Sequence, residues 1–471
     1  MLRNAMLLLS GNGVGSLLSL ARNLLIARLL PVEDYGIAST FAVALSVIEM
    51  LSALGLQTLL VQAKDGDDPR LQAALQGFQV LRGALSALLL FLAAGPIAEF
   101  MRLPELTWAY RVTALVPLVG AFEHFDVHRL NRGMRFGPLV MAETLPTVLT
   151  LAAVWPLVAW LGDWRVMLCI IVMQTALRTI LTHLLAERHY RMRLDPATMR
   201  RSLGFGWPLL VNGILLFGVF QGDRVLVARE LGPTVLGIFS IGVTLTLAPT
   251  LVMARSVRLL FLPLLSNAED PARFERLSRA VMQAAALNAG VMMVGVFLVG
   301  PPFVALVLGA DYLPLLPYLA PLALVQALRV LKTGGNVIAL SRGQTANTMI
   351  SNVFRVAMLP VIWLALVRGY GLEAVIALGA LGEVLGTAAS LVLVRRRLGQ
   401  RLRPLLPVLG VTMLLMGATA LPLRAMLAGA GIDLPAGTLA VLVLALLGAQ
   451  VAVASEFRDW LLRRLRRRGA D

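Results

Sequence analysis

Ten charged side chains lie inside long apolar stretches of this sequence, where a charge is costly and therefore informative. On insertion scales, a charged residue at the centre of a bilayer costs about 2.5–3.5 kcal/mol, so such residues usually face a polar cavity. The bases are Arg22, Arg82, Arg111, Arg178, Arg224 and Arg355, and the acids are Glu49, Glu143, Asp223 and Glu383. The set predicts a charged pathway through a membrane.

The arginines in this set predict a binding site for a phosphorylated anion. A guanidinium group binds phosphate oxygens bidentately and stays charged in a low-dielectric cavity. We predict that such an anion would be bound by Arg22 and Arg224 first, with Arg82, Arg178 and Arg355 as further candidates. No catalytic residue is predicted.

The acids in this set are candidates for binding an ion. Glu49, Glu143, Asp223 and Glu383 could each bind H⁺ or Na⁺ in a polar cavity. Asp223 has a simpler alternative role, the neutralisation of its neighbour Arg224. Beyond such an ion, the sequence predicts no cofactor and no metal site.

The composition is that of a multi-pass membrane protein. Of 471 residues, 58% are hydrophobic and only 14% are charged, which is too apolar for a soluble protein of this length. The net charge of +16 is spread in short runs between apolar segments, as in cytoplasmic loops, so nucleic-acid binding is not predicted. The single cysteine, Cys169, lies in an apolar span and excludes a disulfide framework.

The hydropathy pattern predicts fourteen membrane-spanning helices of about 20 residues each. Their centres fall near residues 17, 45, 88, 117, 151, 173, 216, 247, 291, 322, 358, 381, 414 and 442. With the N-terminus inside, thirty arginine and lysine residues are cytoplasmic, including Arg329 and Lys332, six are outside and six lie within spans. This excess of inside charge predicts that both termini are cytoplasmic.

A repeat at a constant offset of 201 residues predicts an internal duplication. Ala27, Arg28, Leu30, Gly36, Ile37 and Ser39 return as Ala228, Arg229, Leu231, Gly237, Ile238 and Ser240. The first and seventh predicted helices then run in the same direction, as in a parallel duplication of six-helix units. Arg22 and Arg224 occupy corresponding helices, which is why they lead the list of anion-binding candidates.

The predicted fold is therefore an all-α, polytopic membrane protein with two parallel six-helix repeats around a central cavity. We assign residues 1–200 to the N-terminal bundle and residues 201–394 to the C-terminal bundle. Residues 395–471 hold two additional helices and a basic tail whose main role would be to anchor the last helix on the cytoplasmic side.

Other motifs are explained better by structure than by chemistry. Neither lysine follows a glycine as a phosphate loop requires, so no ATPase is predicted. His124, Asp126 and His128 lie at the cytoplasmic end of a predicted helix and could bind a metal or relay protons. We favour a structural role for these three side chains.

Several motifs resemble those of the Wzx-type oligosaccharide (polysaccharide) flippases, members of the multidrug/oligosaccharidyl-lipid/polysaccharide (MOP) flippase superfamily. The turn LLPVEDYG at 29–36 resembles the L-x-P-E-D-Y-G turn of these proteins. Further matching segments are RGMRF at 132–136, FGWP at 205–208, DR at 223–224, LG at 231–232 and 236–237, and LGADY at 308–312. These segments follow one another in the order found in the family, and the resemblance covers most of residues 1–400.

The resemblance implies two six-helix bundles, two extra C-terminal helices and a transporter rather than an enzyme. The implied function is flipping of a polyprenyl-diphosphate-linked oligosaccharide to the outer leaflet of the bacterial inner membrane by alternating access. The implied pathway is surface polysaccharide biosynthesis (O-antigen, capsule or exopolysaccharide), with membrane lipids and polysaccharide assembly proteins as partners. Alternatives are a lipid II flippase, a drug/cation antiporter or a membrane polysaccharide polymerase. A polymerase generally needs a sizeable catalytic loop outside the membrane, and the short outer loops predicted here leave no room for one.

Overall fold

The computed structural model describes residues 2–52, 54–401, 403–420 and 436–468, and within these ranges the chain is helical without β-strands. The chain forms two compact units, Met1–Ser240 and Ile241–Asp471. The boundary falls inside one long helix, 40 residues beyond the predicted limit at residue 200. The predicted division into residues 1–200, 201–394 and 395–471 is based on the sequence repeat, and it stays a prediction.

The first unit contains nine helices and the beginning of a tenth. They are α1 (Leu2–Leu29), α2 (Val32–Ser52), α3 (Leu56–Gln62), α4 (Pro69–Phe100), α5 (Thr107–Thr113), α6 (Leu115–Gly120), α7 (Asp126–Arg132), α8 (Gly137–Leu161), α9 (Arg165–Leu184) and α10 (Pro196–Ser266). Helix α8 packs against α1 and α9, and α4 packs against α5 and α6.

The second unit contains the end of α10 and the helices that follow. They are α11 (Pro271–Phe303), α12 (Leu316–Ser341), α13 (Ala346–Ala357), α14 (Leu359–Val367), α15 (Leu372–Leu398), α16 (Leu406–Ala420), α17 (Ala436–Val453) and α18 (Ser455–Arg468). Helix α12 packs against α11 and α15, and α15 also packs against α13.

Three long helices, α4, α10 and α11, begin with an Asp-Pro pair, and Asp195 caps α10 by accepting a hydrogen bond from the backbone N–H of Thr198. Asp68 and Asp270 cap α4 and α11 in the same way, by accepting from backbone N–H groups of the first turn. A carboxylate cap satisfies helix donors that have no intrahelical acceptor, and proline is suited to the first helical position. An Asp-Pro pair therefore fixes where α4, α10 and α11 start.

Nine helices among the described residues are long and apolar enough to cross a membrane, or ten if the bent pair Gly437–Val453 and Ser455–Arg463 is one span. Large apolar side chains such as Leu306 and Trp160 are about 80% exposed on these helices. An apolar surface of this kind is suited to lipid rather than water. The multi-pass, all-helical fold class is thus confirmed, whereas the number fourteen stays a prediction.

Helix α10 carries two of the predicted spans, and it is interrupted at Gly232. The backbone there has φ 82° and ψ 177°, a conformation that only glycine adopts readily. Arg255 lies in the same helix, which runs on to Ser266. The eighth predicted span therefore extends further than a minimal membrane crossing.

Two glycines related by the repeat contact each other's helices in the first unit. A Cβ atom on Gly36 would overlap the carbonyl oxygen of Pro233, and one on Gly237 would overlap that of Val32. The offset of 201 relates both the glycines and the residues that they face. The start of α2 therefore crosses α10 just beyond its interruption, backbone against backbone, through equivalent residues.

Replacing either glycine by alanine is expected to separate the two helices at this crossing. We expect Gly36→Ala and Gly237→Ala each to destabilise the protein by about 1–3 kcal/mol, the usual cost of overpacking. Thermal unfolding of the purified protein measures this effect. Gly95→Ala is the control, because nothing lies within 4 Å of its added Cβ; equal unfolding temperatures for all three variants would contradict the close approach.

Candidate functional site

Arg22 lies on α1 and reaches two polar side chains of neighbouring helices. Its Nη1 donates a hydrogen bond to Thr150 Oγ1 on α8 at 2.9 Å and another to Gln174 Oε1 on α9. Helices α1, α8 and α9 pack together, and this packing brings the three residues into contact. The predicted anion-binding residue is thus fixed in position by neutral groups, which leave its charge unbalanced.

Arg224 lies on the first part of α10 and shares a neighbour with Arg22. Both guanidinium groups are within electrostatic range of the buried Tyr35. Arg224 Nη1 donates to Gln221 Oε1 at 3.2 Å, and Gln221 in turn donates to Ser46 on α2 at 3.3 Å. The two leading candidates, Arg22 and Arg224, therefore both interact electrostatically with Tyr35. The sequence analysis included Tyr35 only as part of the turn at 29–36.

A second group of charges surrounds Arg178 on α9. Its Nη2 donates to Oε1 of Glu123 at 3.1 Å, and Glu49 and Glu143 are within its electrostatic range. Glu49 and Glu143 are themselves exposed, whereas Glu123 is buried. Sequence reasoning missed Glu123, which lies in the non-helical turn between α6 and α7.

Arg82 on α4 belongs to the same group. Its guanidinium donates to Gln79 Oε1 at 2.9 Å and to the backbone carbonyl of Ser52, and its electrostatic neighbours are Glu49 and Glu123. The first unit thus brings together two arginines and three carboxylates, which are carried by α2, α4, α8, α9 and the turn between α6 and α7. Four of the predicted site residues meet here: Arg82, Arg178, Glu49 and Glu143.

The four candidate arginines of the first unit have one property in common. Within the described part of the chain, the Nε atoms of Arg22, Arg82, Arg178 and Arg224 are buried and have no hydrogen-bond partner. A buried donor without an acceptor is costly, and an anion with several oxygens can supply acceptors to more than one guanidinium. These donors suit an anionic ligand.

The second unit holds a different cluster, centred on the fully buried Glu383 of α15. Its Oε1 accepts from Arg329 Nε at 2.6 Å and its Oε2 accepts from Lys332 Nζ at 2.8 Å. Arg355 Nε on α13 lies 3.7 Å from Oε1, and Asn352 accepts from Lys332 at 3.1 Å. The structure therefore places the two predicted residues Glu383 and Arg355 side by side. Glu383 is also bound by Arg329 and Lys332.

This cluster corrects one sequence prediction. Arg329 and Lys332 were assigned to a cytoplasmic segment, and that assignment is wrong, because both lie inside the candidate span that ends at Ser341 and Lys332 is buried. The positive-inside rule counts bases between apolar runs, and it cannot detect an acid that neutralises them from a helix some 50 residues away.

His124, Asp126 and His128 each have a separate structural partner. His124 Nδ1 accepts from the Asp126 backbone N–H at 3.1 Å, and its Nε2 lies 3.0 Å from the carbonyl of Arg188. His128 Nε2 lies 3.5 Å from Glu123. These contacts tie α7 to the segment that follows α9, which is a structural role.

Asp126 is the centre of this connection between α7 and the α9–α10 segment. Arg129 donates to it at 2.6 Å, and the backbone N–H of Glu187 donates at 2.8 Å. Burial alone would raise the pKa of Asp126, but these hydrogen bonds outweigh burial and hold its pKa below the ordinary value of 3.8. The ionised carboxylate therefore stabilises the folded state.

Asp126→Asn is expected to lower stability near neutral pH by about 1.5–3 kcal/mol, the worth of hydrogen bonds to a charged group. A lowered folded pKa gives stability that is present above the unfolded pKa and is lost as the pH falls through the folded pKa. The difference in unfolding temperature between wild type and variant should therefore shrink below pH 3.8. A difference that does not change with pH would contradict the role of the ionised carboxylate.

The fold and its apolar helices define a multi-pass helical membrane protein. Residues 25–317 match the polysaccharide biosynthesis protein family, and the chain belongs to that family. It is 23% identical over 304 residues to the teichuronic acid biosynthesis protein TuaB of Bacillus subtilis (strain 168), covering 62% of this chain and 61% of TuaB.

Two further comparisons extend this picture. The chain is 21% identical over 352 residues to the lipopolysaccharide biosynthesis protein WzxC of Escherichia coli (strain K12), covering 72% of this chain and 69% of WzxC. The solved structure of the lipid II flippase MurJ in an inward closed conformation is similar in fold, with a TM-score of 0.72 and 14% identity over 98% of this chain and 99% of MurJ. This likeness in fold agrees with the predicted all-α, multi-pass architecture.

Proposed function

We propose that this protein is a flippase that moves a polyprenyl-diphosphate-linked oligosaccharide from the cytoplasmic to the outer leaflet of the bacterial inner membrane by alternating access. It would serve the biosynthesis of a surface polysaccharide, and it would be a transporter and not an enzyme. The observation that carries the proposal is the set of four arginines in the first unit, each with a buried Nε that lacks a hydrogen-bond partner among the described residues. Membership of the polysaccharide biosynthesis family supports it.

In this proposal the diphosphate and the sugars pass through the protein while the prenyl chain stays in lipid. Arg22 and Arg224 bind the diphosphate, and Arg82, Arg178 and Arg355 are further ligands. Arg355 has the weakest support, because its side chain is fully buried beside Glu383. Membrane lipids surround the apolar helices, polysaccharide assembly proteins take up the product, and both termini are cytoplasmic.

Coupling to H⁺ or Na⁺ would use the carboxylates. Glu49 and Glu143 are exposed within range of Arg178, and Asp223 is within range of Arg224, so an ion at any of them would change the charge beside an arginine. Glu383 is bound to Arg329 and Lys332. Collapsing each ion gradient in vesicles identifies the ion, and transport that is indifferent to both gradients would argue against coupling.

The alternatives differ in substrate charge. A drug/cation antiporter requires an acidic pathway, whereas the arginines of the first unit favour an anion. A lipid II flippase also carries a prenyl diphosphate, so the attached glycan distinguishes it from the leading proposal. If the protein were a polysaccharide polymerase, its loss would not prevent the flipping of lipid-linked glycans.

Leaflet-resolved analysis of lipid-linked glycans in cells depleted of this protein tests the proposal. Accumulation of a completed polyprenyl-diphosphate oligosaccharide on the cytoplasmic leaflet, with loss of surface polysaccharide, is the expected result. Accumulation of lipid II there would favour the nearest alternative, and accumulation on the outer leaflet would favour a polymerase. No change in any lipid-linked glycan would overturn the flippase proposal.

A further inference from the structure

Glu123 is a buried carboxylate shared between two cationic or titratable side chains. Its side chain is 9% exposed, and its Oε1 lies 3.1 Å from Arg178 Nη2 and 3.5 Å from His128 Nε2. It is carried by the turn between α6 and α7, whereas Arg178 is carried by α9. Glu123 therefore stays bound to Arg178 when no other anion is present.

Arg178 can be reached by a second anion although Glu123 cannot. The Arg178 side chain is 40% exposed, and its Nε has no hydrogen-bond partner among the described residues. A diphosphate approaching from the exposed side would compete with Glu123 for the guanidinium. Bidentate binding to phosphate oxygens would draw Nη2 away from the carboxylate.

A buried carboxylate that loses its arginine is left in an environment that disfavours its charge. Desolvation favours the protonated form of an acid, and the opposite charge that had offset it is now neutralised by the diphosphate. The other charged groups facing the site are His128 on α7, Arg82 on α4, Glu49 on α2 and Glu143 on α8. Of these, His128 has its Nε2 3.5 Å from Oε1 of Glu123.

We propose that Arg178 and Glu123 form a proton-linked diphosphate site, in which the arriving diphosphate binds Arg178 and Glu123 takes up one proton. The only bond formed is the O–H bond of Glu123, and its proton is taken up from the bulk solution, so the protein gains one proton. Proton and diphosphate then stabilise each other's binding, which is the opposite of a site where they compete. The inference rests on the proposed function, because it assumes that a prenyl diphosphate is the ligand.

The linkage has a definite sign. Because the loaded protein holds one more proton than the empty protein, affinity for diphosphate should rise as the pH falls. For one proton the limiting slope is about tenfold in affinity per pH unit. Glu123→Gln, which cannot ionise, should lose this contribution and leave only the slope that comes from ionisation of the ligand itself.

Calorimetric titration of the purified full-length protein with geranyl diphosphate, in two buffers of different ionisation enthalpy, counts the protons exchanged. Wild type should take up close to one proton more than Glu123→Gln, and the control Glu99→Gln, which removes an exposed glutamate of α4 that belongs to neither charged cluster, should behave as wild type. Equal proton counts in wild type and Glu123→Gln, or proton release on binding, would overturn the inference while leaving the flippase proposal intact. Failure of wild type to bind the probe would overturn both.

A second measurement does not depend on the stability of the variant. Infrared difference spectra of wild type should gain the carbonyl band of a protonated carboxyl group when geranyl diphosphate is added, and Glu49→Gln and Glu143→Gln should keep that band. Absence of the band from wild type that has bound the probe would overturn the inference.

Discussion

Arg22→Ala and Arg224→Ala are each expected to lower the rate of oligosaccharide flipping about 10–100-fold while leaving the protein folded in the membrane. A hydrogen bond to a charged group contributes about 1.5–3 kcal/mol, and each 1.4 kcal/mol is a factor of ten. Transport of lipid-linked oligosaccharide into the outer leaflet of reconstituted vesicles measures the effect. Both residues approach Tyr35, so the double variant should lose less than the product of the two single effects.

Arg111→Ala is the matched control for these variants. Arg111 is also an arginine within a predicted span of the first unit, but it is exposed and its guanidinium lies over the ring of Phe91 at 5.5 Å. We expect transport by this variant to stay within about twofold of wild type, as for a surface substitution of less than 0.5 kcal/mol. Normal transport by both Arg22→Ala and Arg224→Ala would refute the role assigned to them.

Glu383→Gln is expected to have the largest effect on stability. Removing the acid from a buried ionic cluster leaves the charge of its bases uncompensated, at a cost of about 3–5 kcal/mol. Glu383 is fully buried and binds both Arg329 and Lys332. A large drop in the unfolding temperature of the purified protein, together with a lower yield in the membrane, is the expected result.

Two further variants make this prediction specific. Glu373→Gln, on the same helix, is the control, because Glu373 is bound only to the exposed hydroxyl of Tyr318 among the contacts described for it. Lys332→Met should restore part of the stability lost in Glu383→Gln, since it removes one of the uncompensated charges. If Glu383→Gln unfolds at the same temperature as Glu373→Gln, the cluster does not stabilise the second unit as described.

The sequence predicted the intramembrane arginines because their cost in a bilayer is local and can be read from each residue and its apolar flanks. Arg22 and Arg224 were found in this way, and the repeat placed them on corresponding helices. The electrostatic interaction of Tyr35 with both arginines could not be predicted, because it depends on how α2 packs. Propensity and hydropathy contain no information on that packing.

The same limit explains the missed partners. Glu123 is not in a long apolar run, so the cost argument did not select it, and its contact with Arg178 crosses 55 positions of the chain. Lys332 was misplaced for the complementary reason, since its partner Glu383 is 51 positions away. Two charges on different helices that neutralise each other are far apart in the sequence. Their contact forms only when the helices pack, so the sequence does not show that they are partners.

The crossing of Gly36 and Gly237 has a consequence for the origin of the chain. In a contact between two identical subunits related by a two-fold axis, each residue faces the partner's copy of the residue that faces it. Gly36 faces Pro233 and Gly237 faces Val32, the residues that the offset of 201 makes equivalent. Two separate chains of the single repeat could make this same contact as a homodimer, so gene fusion would have preserved an interface that already existed.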